Sequence, residues 1–118
     1  METEVEVAPV AQGYAYAFRL KVTGGAPAFP IGATFRAEVR PYPEAPSPAG
    51  TLSTGDGSLV RIDDDTIEVR LAGAVTGAIG NTVAHLDFVR TDLSPDVWIG
   101  VQVRLPVVVP ITKADAGA

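Results

Sequence analysis

The segment 97-VWIGVQVRLP-106 places Val97, Ile99, Val101, Val103 and Leu105 on one side of an extended chain and Trp98, Gly100, Gln102 and Arg104 on the other. Side chains of a strand alternate with a period of two, so this run predicts a strand with one face in a core and the other in solvent. Trp98 falls on the solvent side. A large aromatic left outside is a candidate contact residue, because such side chains supply much of the binding energy of protein interfaces.

The same alternation recurs along the chain. Tyr14, Tyr16, Phe18, Leu20 and Val22 oppose Arg19 and Lys21; Phe35, Ala37 and Val39 oppose Thr34, Arg36, Glu38 and Arg40; Ala84, Leu86 and Phe88 oppose His85 and Asp87. Tyr14 and Tyr16 are therefore expected inside, and Phe18, Phe35, Val69, Leu86 and Val101 are expected to pack together. Leu59–Ile62 and Ile67–Leu71 flank Asp63-Asp64-Asp65-Thr66, which reads as a hairpin with an acidic turn, its Asp residues tolerating left-handed backbone.

Between these runs the chain is punctuated. Gly24, Gly25, Pro27 and Pro30 break it once, and residues 41–57, with four prolines, are expected to form a long surface loop. The stretch GAVTGAIG at 73–80 predicts one short helical turn capped by Thr76. Residues 1–13, interrupted by Pro9 and Gly13, read as an arm or edge strand, residues 14–112 as the domain, and 113–118 as a flexible tail. The run after Pro106 is expected to be a last edge strand. About six or seven strands without helical periodicity predict an all-β fold, an antiparallel β-sandwich of immunoglobulin-like topology.

Composition narrows the chemistry. With 118 residues, 47% hydrophobic and 19% charged, the chain suffices for one domain, and no apolar run approaches the roughly 20 residues of a membrane-spanning helix. The absence of cysteine removes disulfides and thiolate chemistry. A net charge of −5 argues against nucleic acid as a partner, since phosphate neutralisation needs clustered Lys and Arg. The acidic N-terminus lacks a secretory h-region, so synthesis in the cytoplasm without export is expected.

No catalytic residue is expected, because His85 is the only histidine and no nucleophile motif surrounds any of Ser47, Ser53, Ser58 or Ser94. Asp63-Asp64-Asp65 lacks the glycine and distal glutamate of a calcium loop, so no metal is expected. The glycines form neither a dinucleotide fingerprint nor a phosphate loop, so no cofactor is expected. The candidate partner-binding residues are Trp98 and Tyr42.

In chain order, FRAEVR (35–40), TIEVRL (66–71), VTGAIGNTVAHLDF (75–88) and WIGVQVRLPVVVPIT (98–112) resemble small virion modules of tailed bacteriophages, including the N-terminal β-sandwich of baseplate upper proteins. Thr76 matches a Thr-led turn, Leu86-Asp87-Phe88 an Asp-containing strand, and Gly100–Thr112 the closing strand; the resemblance covers residues 14–112. Leu86 stands where the pattern usually has an aromatic. The family's modules often continue into a larger C-terminal region, so a chain of this length is expected to be free-standing. The resemblance implies a virion structural protein that is multimeric on the particle. It would dock on phage structural proteins as capsid decoration or as a neck or tail component. The alternative is a carbohydrate- or receptor-binding β-sandwich.

Overall fold

The computed structural model describes residues 3–6, 9–23 and 26–113, the first four by backbone alone. The proposed tail beyond Lys113 lies outside the described residues. Nine strands are present among them: β1 (Thr3–Glu6), β2 (Val10–Ala11), β3 (Tyr16–Lys21), β4 (Phe35–Arg40), β5 (Gly50–Ser53), β6 (Leu59–Asp63), β7 (Thr66–Leu71), β8 (Val83–Arg90) and β9 (Val97–Val108), with one helical turn, α1 (Gly73–Gly77).

The strands form two sheets. One runs β1-β9-β8-β4-β5, with β2 also on β9, and the other β3-β7-β6. The protein is an all-β sandwich, and this strand order is that of the immunoglobulin fold. The count exceeds the expected six or seven because short β5 and β2 carry little alternation to read. The larger sheet is mixed, because β1 and β2 run parallel to β9 while its other pairs are antiparallel. The chain thus enters along the free edge of β9, then crosses at β3 to the other sheet.

β9 is one twelve-residue strand, not two pieces broken at Pro106. Val107 donates its N–H to Thr82 beside β8, so the position where Pro106 lacks an N–H faces the opposite edge. There it meets the gap between β1, which ends opposite Arg104, and β2, which begins opposite Val107. A proline is tolerated where no ladder bond is required.

The inward residues meet between the sheets. Phe35, Val69, Leu86 and Val101 are buried together as expected, and Phe18 packs against them from a half-buried position. Four placements depart from expectation. Tyr14 lies before β3 and is 37% exposed, since its hydroxyl turns outward to donate to the Thr112 carbonyl. Leu52 is buried on β5, inside the segment read as a proline-rich loop. Phe29, in the stretch read as a break, is fully buried and packs edge-on to Phe35 and Phe88 at ring separations of 5.3 and 6.1 Å. Val97, of inward parity on β9, is 43% exposed, since the bulge at Gly100 lies between it and the buried run, whereas Val10 on the edge strand β2 is fully buried.

Thr76 does not cap α1; the N-cap is Ala72, without a side-chain bond. Its buried hydroxyl instead donates to the Tyr14 carbonyl at 2.8 Å and accepts the Gly13 N–H at 3.1 Å. It therefore ties the start of β3 to the corner between β7 and β8. The acidic hairpin turn also differs from the reading of Asp in left-handed backbone, because no described non-glycine residue has positive φ. Asp63 accepts the Asp65 N–H at 2.9 Å, and the strand pair is irregular between Arg61 and Asp63, which closes the turn by a bulge.

Candidate interaction face

The solvent side of the larger sheet presents three successive rungs across β4, β8 and β9. These are Arg36–Val89–Trp98, Glu38–Asp87–Gln102 and Arg40–His85–Arg104. Each follows from period-two alternation, the intervening Ala37, Val39, Leu86, Phe88, Val101 and Val103 being buried.

Trp98 is 45% exposed on this face. A bulge determines what it touches: between the Asp87–Gln102 and Val89–Trp98 pairs, β8 has the single residue Phe88 and β9 has Ile99, Gly100 and Val101. Gly100 takes φ +88°, a left-handed conformation that costs L-residues roughly 1–2 kcal/mol. In a regular strand Trp98 would lie four residues, about 13 Å, from the Gln102 rung. On β8 its rung is only two residues from Asp87, about 7 Å, and the indole Nε1–H donates to Asp87 Oδ2 at 2.8 Å. The bulge and this bond hold the ring in one orientation.

Glu38 sits directly opposite Asp87, an arrangement that would be repulsive alone. It is offset on both sides. Glu38 accepts Arg36 Nη1 at 3.3 Å and Arg40 Nη2 at 2.7 Å, while Asp87 takes the indole N–H. Arg40 also donates to the Ala45 carbonyl, which ties the β4–β5 loop to the face. A shallow hollow of about 210 Å³ lies among Glu38, Arg40, Pro43, His85, Asp87 and Gln102. The face therefore offers an oriented indole and braced guanidinium groups near a shallow hollow of mixed lining.

The two sequence candidates are not brought together. Tyr42 is exposed in the β4–β5 loop. The Arg36 and Arg40 rungs are already about 13 Å apart along β4, and Tyr42 lies beyond the latter. Arg36, Glu38, Arg40 and Gln102 escaped sequence reasoning as site residues, because alternation assigns them only to a solvated face. Their signal was their parity with Trp98, which becomes spatial only once strand pairing is known.

At the opposite end of β8 from His85, Arg90 pairs with Asp92 at 2.9 Å. This guanidinium, with the Thr34 N–H, holds the Asp92 carboxyl down to about 2. The acidic turn is remote from the face. Among the described residues no group of three or more His, Asp or Glu side chains lies close enough to hold a metal ion, and no helix is long and apolar enough to cross a membrane. No family model matches the chain, and no curated protein is significantly similar to it.

Proposed function

We propose that the chain is a non-catalytic docking module that binds a repeating protein assembly through the outer face of its larger sheet. The observation that carries this reading is the exposed Trp98 indole, locked to Asp87 on the rung of Arg36, with Glu38 bracing Arg36 and, farther along the face, Arg40. Tryptophan and arginine are enriched among the residues that dominate interfaces, and holding them in place before contact lowers the entropic cost of binding. The assembly we propose is a bacteriophage virion, as decoration of the capsid or as a neck or tail component. That part rests on the sequence resemblance across residues 14–112. Repetition by symmetry would let many modest contacts add as avidity, with no cofactor, nucleic acid or membrane involved.

The test is to mix the purified chain with particles assembled without it, sediment them and count bound copies. A fixed stoichiometry, reduced by Trp98→Ala, is the expected result, and absence of binding overturns the assignment. The exposed indole on the same face as a shallow hollow with polar side chains also favours a second reading, carbohydrate binding. Trp98-dependent retention on a glycan array, with no particle binding, would select it.

A further inference from the structure

A sandwich leaves two edges to each sheet, and an uncovered edge offers its N–H and C=O groups to another strand. Three of these edges are blunted. In the larger sheet one edge is made of the short pieces β1 and β2, and at the other, on β5, Ser58 Oγ takes the Ser53 N–H at 2.9 Å. In the smaller sheet β6 is irregular between Arg61 and Asp63. β3 differs. Its six residues pair with β7 in unbroken register, and among the described residues no strand lies on its other side.

One bond sets the direction of its backbone groups. Val22, next after β3, donates its N–H to the Asp65 carbonyl at 2.8 Å, in line with the register of the strand pair. Antiparallel ladders alternate between bonded and non-bonded pairs, so Phe18 and Leu20 bond to β7, whereas Ala17, Arg19 and Lys21 turn their N–H and C=O groups to the open edge. The side chains of these three are exposed on the outer face. Phe18, on the inner face, is only half-buried, while Ile67, Val69 and Leu71 on β7 are buried. Just past β3, a groove of about 480 Å³ opens between the sheets, to which Val22, Ala28, Leu93, Val97, Trp98 and Ile99 contribute.

We infer that the β3 edge takes an extended segment of a partner protein by strand addition, a segment in which apolar residues alternate with acidic ones. Main-chain bonds to Ala17, Arg19 and Lys21 supply the affinity of such a contact, and side chains at alternate positions its specificity. The apolar residues lie beside Phe18 and toward the groove, and the acidic ones oppose Arg19 and Lys21, because side chains of one face come level across paired strands. Charge favours this occupant. Glu68 is the only acidic residue on β3 or β7, which together carry Arg19, Lys21 and Arg70, and it is shared by Arg19 at 3.1 Å and Arg70 at 2.6 Å. Asp63, which borders a common hollow with Lys21, offsets part of that surplus. The same residues select against other strands. A basic segment sets like charges side by side, and a second β3 pairing antiparallel about Arg19 sets two guanidiniums opposite each other. This site goes beyond the docking face, and its test uses no particle, so the two readings fail separately.

The experiment follows the backbone amides by NMR while a short synthetic peptide of alternating valine and glutamate is added. In the free chain the Ala17, Arg19 and Lys21 amides are expected to exchange at least about tenfold faster than those of Phe18 and Leu20. Saturating peptide should slow those three at least about tenfold and shift Val22 and Ile99. A peptide with lysine in place of glutamate should bind at least about tenfold more weakly, and the glutamate peptide N-methylated throughout should not bind. Ala17→Pro removes an edge N–H without touching a bond to β7, and it should abolish the response. If that variant fails to fold, the N-methylated peptide makes the same comparison on the unmodified chain. Slow exchange of the three amides in the free chain would show the edge already covered, and overturns the inference. No response to the glutamate peptide, an equal response to the lysine peptide, or a response that survives N-methylation overturns it too. So does protection that grows with chain concentration alone, which would make a second copy the occupant.

Discussion

Trp98 and Asp87 belong to neighbouring strands, and their hydrogen bond of 2.8 Å exists because Gly100 allows β9 to bulge between their rungs. Trp98 is the only tryptophan, so intrinsic fluorescence reports this one contact. Asp87→Ala is expected to change its emission and increase its quenching by iodide, while stability moves by no more than about 0.5 kcal/mol, as at other surface sites. Unchanged emission and quenching would show that Asp87 does not orient the ring.

Gly100→Ala keeps both partners but forces a Cβ into a left-handed backbone. The expected loss is about 1–2 kcal/mol in urea denaturation, together with the fluorescence change of Asp87→Ala. A stability loss without the spectral change would mean that the indole keeps its place without the bulge.

Phe29→Ala should cost about 3–5 kcal/mol, the range for emptying a buried aromatic site. It should also release the β3–β4 loop, seen as faster amide exchange at Ile31 and Gly32, since Phe29 is the anchor that holds them. A loss below about 1 kcal/mol would mean that the loop closes over the site unaided.

Thr76→Val removes a buried hydroxyl that serves two backbone groups, the Gly13 N–H and the Tyr14 carbonyl. Each would be left without its partner, and the expected cost is about 1–3 kcal/mol. Thr76→Ser should restore most of it. A Thr76→Val loss no larger than that of Thr76→Ser and below about 0.5 kcal/mol would show that the hydroxyl does not tie the two segments together.

Asp92 carries the largest acid-side signal. Its folded pKa of about 2 lies below the ordinary value of 3.8, so it stabilises the fold above pH 4. That contribution fades as pH falls from about 4 to 2, when the folded carboxylate takes up its proton. The difference in thermal midpoint between the unmodified chain and Asp92→Asn is expected to shrink over that window, and to be smaller in high salt. A difference constant from pH 6 to 2 would show that the carboxylate charge contributes nothing.

The sequence by itself determined which residues turn inward. Alternation in FRAEVR, TIEVRL and VWIGVQVRLP depends only on the local two-residue pleat, so Phe35, Val69 and Val101 were legible as core and Trp98 as outward. Phe29 was not legible, because it reaches the core from a loop without periodicity and is fixed by bonds to the distant Asp64 and Arg61. Tyr14 shares the parity of its strand but precedes it, where the backbone already turns toward the Thr112 segment. Only tertiary structure decided that β1 and β2 lie parallel on β9, and that Arg36, Glu38, Asp87 and Trp98 occupy one face from three strands. Inward or outward is a property of a residue and its neighbours in the chain. Register is a property of pairs far apart in sequence, settled by the packing and bulge that bring them level.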